Sequence, residues 1–301
     1  MAKRTEESYS VRRAKHGGIY TLVFAVFSLV WIAPILIVVL NSFKRKAYIF
    51  RNPFSISSRS LADGWEQFLQ GVRKVMCGWL NYNNAVRKTD FFHAFQYSLF
   101  ITVASVILII LCTSMCAWYI TRVHNKVTGT IYVLCLFSMI VPFQMVMFTL
   151  SKFANLLNLG NPLGIVIVYL GFGAGLSVFL FIGFIKGISI EIEEAAMIDG
   201  CTPLRTFFGV VFPILKPTAI TVAILQAMWI WNDYLLPSLV LNINKYKTIP
   251  IAIQYLKQSH GQIDWGAMMA VLVLAILPIV IFYLFCQKYI IEGVLAGAVK
   301  G

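Results

Sequence analysis

The chain has 301 residues, of which 59% are hydrophobic and only 12% are charged, where an ordinary soluble domain carries roughly 25% charged residues. So few charged side chains cannot cover a soluble core of this size, which excludes a single-core cytosolic enzyme, a disordered protein and a fibrous protein. The net charge of +13 would indicate nucleic-acid binding on a soluble chain, but on this apolar chain it indicates loops beside anionic lipid.

Six stretches of the chain are apolar enough to span a bilayer, which takes about 20 residues of helix. They cover residues 19–40, 95–120, 130–151, 164–185, 218–241 and 266–287. Asp233, in the fifth stretch, is the one charged residue within them. Barrel strands would show short alternating segments, and backbone groups in lipid must satisfy one another. The sequence therefore predicts an all-α integral membrane protein with six transmembrane helices.

The first span follows a basic tail, residues 1–18, and has 22 apolar residues, too many for the core of a signal peptide, so we expect it to be retained. The loop 41–94 after it holds nine lysines and arginines against three acids. Apolar residues recur at helical spacing in this loop between Leu61 and Leu80, which predicts an amphipathic helix.

No pattern of catalytic or ligand-binding residues stands out. The six cysteines and four histidines show no metal-ligand or disulfide spacing, and the chain has no phosphate-binding loop or dinucleotide fingerprint. The sequence thus predicts neither a catalytic residue nor a metal site. If nucleotide energy drives this protein, another chain must bind the nucleotide.

The loop 186–217 between the fourth and fifth spans begins with a short predicted helix. Ser189 can cap this helix. The helix dipole favours the acids that fill its opening turns, which are Glu191, Glu193 and Glu194. Ala195 and Ala196 make a small, flat face that suits close docking to a partner, with a solvated hairpin between spans as the alternative.

A second short helix is predicted in the same loop. Gly200 favours the left-handed conformation that ends the first helix. Thr202 can cap the next helix, with Pro203 at its first position. Pro213 and Pro217 are expected to end it before the fifth span starts.

Four separated motifs resemble, in the right order, those of permease subunits of bacterial ABC importers. Glu194-Ala195-Ala196, then Gly200, then Val210-x-Phe212-Pro213 is similar to the coupling-loop motif of that family, which more often has Ile and Leu at the positions of Val210 and Phe212. The other three motifs resemble its carbohydrate branch, the maltose-type and multiple-sugar permeases, and cover residues 141–144, 229–237 and 287–301.

The resemblance implies that the loop 186–217 is cytoplasmic and couples the chain to an ATPase subunit. The residues to which it gives this role are Glu193, Glu194, Ala195, Ala196, Met197, Asp199, Gly200 and Pro213. It also implies a multi-pass protein of the bacterial plasma membrane with both termini inside, in which residues 19–289 form the permease domain. Its partners would be a second permease subunit in a heterodimer, two ATPase subunits, an extracytoplasmic solute-binding protein and membrane lipid, with no nucleic acid.

Two further sets of candidate residues follow. In maltose-type permeases the C-terminal tail reaches between the ATPase subunits, which implies such contacts for residues of the tail 290–301, with a frayed tail as the alternative. These residues are Gly297, Ala298 and Lys300. Candidates for the translocation path are polar and aromatic residues of the third and fifth spans, namely Gln144, Trp229, Asn232, Asp233 and Tyr234. The alternatives for Asp233 are a buried polar anchor between helices and a water-exposed group near the outer mouth. The alternative for Trp229 is packing or a position at the membrane interface.

The predicted function is that of a permease subunit, not an enzyme, which imports a sugar or oligosaccharide delivered by a binding protein. It would bind no cofactor itself, because ATP and Mg²⁺ belong to the ATPase subunits. Alternatives are a permease for a polyol or phosphodiester, or a secondary transporter, although the inverted repeats and ionisable clusters of the latter are not evident. The amphipathic helix of loop 41–94, external in this orientation, could lie on the outer membrane surface, pack on the partner permease or meet the binding protein.

Overall fold

The computed structural model describes residues 17–258 and 263–298. These residues form helices and no β-strand, which confirms the predicted all-α fold class. In chain order the helices are α1 (Gly17–Ser42), α2 (Lys46–Arg51), α3 (Trp65–Val75), α4 (Leu80–Thr89), α5 (Phe91–Arg122), α6 (Lys126–Ile140), α7 (Phe143–Leu156), α8 (Pro162–Ile185), α9 (Ile190–Ile198), α10 (Pro203–Thr206), α11 (Phe212–Ile214), α12 (Lys216–Asn232), α13 (Leu235–Val240), α14 (Ile249–Gln258) and α15 (Trp265–Ala298).

Four helices of the described chain are long and apolar enough to span a membrane on their own, and they coincide with four of the predicted spans. They are Gly18–Ser42, Phe91–Arg122, Pro162–Ile185 and Trp265–Gln287. The last of these helices continues to Ala298, through most of the segment predicted as a separate tail, 290–301.

The predicted span 130–151 is not one continuous helix. α6 ends at Ile140, α7 begins at Phe143, and the two helices meet at an angle of 109°. Pro142 lies between them with extended backbone, at φ −61° and ψ 134°. Proline has no N–H to donate and disfavours a helical conformation in the residue before it, so the helix ends here.

The predicted span 218–241 is also interrupted. α12 ends at Asn232, the short α13 begins at Leu235, and Asp233 between them has an extended conformation. At its other end α12 begins two residues earlier than predicted and is bent by 76° from the helical segment before it. The one acid of the predicted spans therefore lies at a break between two helices rather than inside one.

The chain divides into two compact units, of which the first comprises the chain up to Tyr82 together with Trp265–Val273. Its long helix, α1, has no buried residue in its apolar window. The apolar side chains of α1 therefore need cover from lipid or from another chain.

The second unit comprises Asn83–Asp264 and the chain from Leu274, and it contains the main hydrophobic core. α8 packs along α5, α6 and α12 in this unit. Close approach depends on Gly173 of α8, because a Cβ there would lie 2.6 Å from Cδ1 of Ile109 on α5. Tyr169 and Phe181 of the same helix are fully buried in the core.

Candidate functional site

The first part of the hairpin 186–217 has the local structure that its sequence predicts, whereas the prediction that Pro213 and Pro217 end the second helix is wrong. Pro213 lies in α11 and Pro217 in the first turn of α12, where the missing N–H of proline is tolerated. The Ser189 hydroxyl accepts from the Glu191 amide at 3.3 Å and caps α9. Gly200 has φ +85°, the left-handed conformation that a side chain would strain. Thr202 accepts from the Arg205 amide at 3.4 Å and caps α10. The turn between the two helices is therefore fixed by signals within the loop itself.

Glu193 ties α9 to the end of α5. Its side chain is 3% exposed and forms an ion pair with Arg122, whose Nη2 donates to Oε1 at 2.7 Å. Nε of the same arginine lies 3.1 Å from both carboxylate oxygens, and Nε1 of Trp118 donates to Oε2 at 2.9 Å. Arg122 also donates to the Ile188 carbonyl at 3.1 Å, just before α9 starts. We call this group, Glu193, Arg122, Trp118 and the Ile188 carbonyl, the α5–α9 latch.

An aromatic cluster packs against Trp118 of the latch. The Trp118 ring lies 5.4 Å from that of Phe207, which is fully buried and also contacts Phe208 and Phe212. Residues 207–211 form a short π-helical segment, a local distortion of the helix that often occurs at functional sites. Phe207 thereby packs the second helical segment of the hairpin against the same turn of α5 that holds Glu193.

The other face of α9 is exposed. Glu194, Ala195, Asp199 and Gly200 face solvent, and Ala196 is half-buried. Large apolar side chains of the hairpin are exposed too, with Ile198 at 85%; the others are Ile190, Ile192, Met197, Leu204 and Phe208. Several exposed apolar side chains in one short hairpin are typical of a surface that another molecule covers. Pro213 is exposed on the adjoining helix α11.

A second candidate site lies at the break between α12 and α13. Oδ1 of Asp233 accepts from the Leu235 amide at 2.9 Å, and its Oδ2 accepts from the Tyr169 hydroxyl at 3.1 Å. The Tyr169 ring contacts Trp229 edge-on, with 5.4 Å between centroids. The carboxylate therefore holds the start of α13 and links it to α8, so Asp233 is a polar anchor at this break.

The remaining candidates of this region are exposed. Trp229, Asn232 and Tyr234 present exposed surface beside Asp233, and the Asn232 amide donates to the Met228 carbonyl at 2.7 Å. Gln144 is exposed in the first turn of α7, directly after the break at Pro142. The structure brings Trp229 and Asp233 together through the buried Tyr169, whereas Gln144 belongs to a different helix.

The sequence pattern does not connect Arg122 and Trp118 with the acids of α9, so the structure alone reveals these two residues of the latch. It also reveals a buried polar contact between α12 and α8 that the pattern does not indicate. The Gln226 amide is buried and donates to the Gly173 carbonyl at 3.1 Å and to Ser177 at 3.0 Å. A long polar side chain within an apolar segment is the signal that could have identified Gln226.

The predicted contacts of the C-terminal tail fall at the edge of the described chain. Gly297 and Ala298 belong to the backbone of α15, and Lys300 lies outside the described residues. Within the described ranges, no three His, Cys, Asp or Glu side chains come close enough to hold a metal ion.

The comparisons with known proteins agree with this architecture. The family described as "Binding-protein-dependent transport system inner membrane component" matches residues 109–295, more than half of the chain. A solved structure described as a bacterial ABC transporter involved in the import of the acidic polysaccharide alginate has a chain of the same fold. The match has a TM-score of 0.72 and 21% identity, and it covers 94% of this chain and 99% of the other.

Curated relatives match over nearly their whole length. The probable starch degradation products transport system permease protein of Thermoanaerobacterium thermosulfurigenes is 39% identical over 290 residues, which are 96% of this chain and 99% of the relative. The multiple sugar-binding transport system permease protein of Streptococcus mutans is 32% identical, with 93% and 95% covered. The melibiose/raffinose/stachyose import permease protein of Bacillus subtilis is 30% identical, with 96% and 99% covered.

Proposed function

This chain belongs to the family of binding-protein-dependent transport system inner membrane components, and on that premise we propose that it is the permease subunit of an ATP-driven importer of a sugar or oligosaccharide. The observation that carries the proposal is the hairpin 186–217, which is latched to α5 on one side and exposes a docking surface on the other. The names of the relatives, which concern starch products, multiple sugars and melibiose-type oligosaccharides, support a sugar over a polyol or phosphodiester.

The assembly that we propose has separate parts for binding, transport and hydrolysis. A solute-binding protein delivers the sugar, this chain pairs with a second permease subunit, and two ATPase subunits carry ATP and Mg²⁺. This chain then binds no nucleotide and hydrolyses nothing itself. The hairpin 186–217 and both termini lie on the cytoplasmic side of the bacterial plasma membrane, and the loop 41–94 lies outside.

The exposed face of α9 is the surface that docks on an ATPase subunit. Ala195 permits close approach because it has no side chain beyond Cβ, and Met197 and Ile198 supply apolar area that docking would remove from water. Glu194 lies at the edge of this surface, where it can pair with a basic side chain of the ATPase.

The α5–α9 latch transmits the movement of the docked helix. ATP binding closes the ATPase subunits, and α9 moves with the cleft that holds it. Because Glu193 is buried against Arg122 and Trp118, α9 cannot shift without pulling the last turns of α5. α5 packs against α8 and α12, so a small displacement at the hairpin reaches the helices that carry Tyr169 and Asp233.

The sugar path that we propose passes the break between α12 and α13. Exposed Trp229 offers an aromatic face for a sugar ring, and Asn232 and Tyr234 offer polar groups for its hydroxyls. Asp233 acts by holding the break in shape, because both of its carboxylate oxygens are engaged. Gln144, at the break between α6 and α7, is a further candidate for this path.

Ala195→Arg tests the docking surface. We expect the variant to insert into the membrane normally and to lose sugar uptake and binding-protein-stimulated ATPase activity, because the long charged side chain prevents close approach. Gly200→Pro should have the same effect, because proline cannot adopt the φ of +85° found there. The matched control is Ala62→Arg, which places the same side chain at another exposed alanine. Normal uptake by Ala195→Arg would refute the docking role.

The C-terminal segment is tested by truncation after Glu292. If residues 297–300 reach between the ATPase subunits, as we propose, the truncated chain should assemble with less ATPase and turn over more slowly. Unchanged assembly and turnover would favour a segment without contacts. Co-purification of an ATPase with the full-length chain tests the proposal as a whole, and transport by this chain alone would overturn it.

A further inference from the structure

The segment after α1 is clamped to the end of that helix. Lys44 is fully buried two residues beyond α1, and its Nζ donates to the carbonyls of Asn52 and Pro53, each at 2.9 Å. The Asn81 amide donates to the carbonyls of Ser42 and Lys44, each at 2.8 Å. We call the segment 43–82 the surface loop. These bonds join parts of it that are far apart in sequence to one another and to the end of α1.

Because the surface loop is fixed to α1, the membrane position of α1 also fixes the position of the loop. α1 is apolar up to its last turn, so its end lies where the hydrocarbon core meets the headgroup layer. Three aromatic rings cluster at this end, with Trp79, Phe43 and Tyr82 between 5.1 and 5.5 Å apart. Trp79 is 69% exposed, as expected for an aromatic residue at the membrane–water interface.

α3 presents an unpartnered apolar face within the surface loop. Gly71 and Val75 are buried, and Gly71 packs so closely on Ser57 that a Cβ would collide with the serine hydroxyl. Trp65, which is 64% exposed, and Leu69 form a different face of the same helix and remain uncovered. Further exposed apolar side chains of the surface loop are Phe50, Phe54, Ile56, Leu61 and Leu80.

The charges of the surface loop identify what covers this face. The exposed basic side chains are Arg45, Lys46, Arg51, Arg59, Arg73 and Lys74, against two exposed acids, Asp63 and Glu66. Arg73 follows Leu69 by four residues and therefore lies beside it on the helix surface. A helix with Trp and Leu on one face and basic side chains next to them is typical of an anionic membrane interface.

We propose that the surface loop is a membrane-interface anchor: its exposed aromatic and aliphatic side chains enter the leaflet in which α1 ends, and its basic side chains bind anionic lipid headgroups. The proposal goes beyond the transport function and requires only that α1 spans the membrane. It assigns a role to the excess of basic residues in the loop, and it leaves the binding protein and the partner permease to contact other surfaces.

Lipid composition tests the anchor directly. The full-length chain, purified with its co-expressed subunits, is placed in nanodiscs of phosphatidylcholine, with or without an equal part of phosphatidylglycerol. Amide hydrogen exchange is then followed over residues 61–75. Each basic side chain near an anionic surface corresponds to about a fivefold change in equilibrium constant, so Arg73 and Lys74 of α3 together should slow exchange about 25-fold with phosphatidylglycerol.

Two variants separate the contributions. Arg73→Gln/Lys74→Gln should remove most of the dependence on phosphatidylglycerol over residues 61–75, whereas Lys126→Gln/Lys245→Gln, which removes two exposed charges outside the surface loop, should retain it. Trp65→Ser/Leu69→Ser should speed exchange in both kinds of nanodisc. Equal exchange of the unmodified chain in the two lipids would overturn the proposal.

The occupant of the apolar face is identified by photo-crosslinking. A benzoylphenylalanine replaces Trp65 in the assembled transporter in cells, and illumination should give adducts of phospholipid mass. A dominant adduct with the binding protein or with the other permease would overturn the lipid assignment in favour of that partner. Neither readout depends on uptake, so failure of the anchor and failure of the transport function are distinguishable.

Discussion

The hairpin 186–217 and the surface loop are each held to the end of a membrane helix by a buried ion, but the two ions are satisfied differently. Glu193 in the hairpin pairs with the full charge of Arg122, while Lys44 in the surface loop donates to the neutral carbonyls of Asn52 and Pro53. An ion pair with several hydrogen bonds makes a connection that resists displacement, which suits the transmission of movement that we propose for the hairpin. A lysine whose partners are neutral carbonyls only fixes the local fold, which suits a loop that stays in place.

The largest expected effect comes from breaking the ion pair on one side. Arg122→Leu leaves the buried Glu193 carboxylate without its counter-ion, which costs about 3–5 kcal/mol. We expect the hairpin to detach from α5 and the purified complex to lose its ATPase subunit. Thermal stability of the complex and the amount of co-purified ATPase measure this.

The double variant Arg122→Leu/Glu193→Leu is the matched control for this loss. Apolar pairs of similar volume often replace buried ion pairs at little cost, so it should assemble far better than either single variant. If the double variant is as unstable as Arg122→Leu, the ion pair is not what holds α9 to α5.

The hydrogen bonds of Lys44 in the surface loop should contribute less stability than the ion pair of Glu193 and Arg122. Lys44→Met keeps the length of the side chain but leaves the carbonyls of Asn52 and Pro53 without their donor, at a cost of about 1–3 kcal/mol. Faster amide exchange over residues 41–53 with uptake nearly unchanged is the expected result. A loss of uptake as large as that of Arg122→Leu would remove the distinction between the two loops.

Two glycines, one in each loop, sharpen the comparison further. At position 71 only glycine fits, because a Cβ would collide with Ser57. At position 200 glycine is favoured because the backbone has a φ of +85°. Replacement of either by alanine should cost about 1–2 kcal/mol. Asparagine tolerates the left-handed conformation, so Gly200→Asn should retain most uptake, whereas Gly71→Asn should destabilise the surface loop more than Gly71→Ala. Thermal unfolding of the four variants provides the test.

The smallest expected effect is a dependence on pH. Burial lowers the pKa of Lys44 from its ordinary value of 10.5, so between the two pKa values the unfolded loop binds more protons than the folded loop. The stability of the surface loop should therefore rise as pH increases through this window, and Lys44→Met should remove that rise. Amide exchange over residues 41–53, corrected for intrinsic rates, is measured against pH in the unmodified chain and in Lys44→Met. The same pH dependence in the two would show that the lysine is not responsible.

The sequence predicts what is local in both loops. Ser189, Gly200 and Thr202 act on amides within a few residues, so their caps and turn follow from spacing alone. The apolar spacing between residues 61 and 80 predicts one amphipathic helix, and the structure has only its central part, α3, which ends at Val75 before α4 begins at Leu80. These features need no knowledge of what packs against them.

The contacts that hold the hairpin to α5 are not local. Arg122 and Glu193 are 71 residues apart, and only the packing of α5 on α8 brings them together. Composition alone places Arg122 in a loop and Asp233 inside a span. The break at Asp233 depends on the buried Tyr169 hydroxyl, 64 residues away, which no periodicity indicates.

The central claim is that Glu193 couples α9 to the membrane helices, and the ratio of sugar taken up to ATP hydrolysed in a reconstituted complex tests it most directly. Glu193→Gln keeps the size of the side chain and removes the ion pair, and Glu191→Gln, an exposed acid of the same helix, is the matched control. The account predicts that both complexes hydrolyse ATP and that uptake per ATP falls about tenfold or more in Glu193→Gln alone. Equal ratios in the two variants would contradict it.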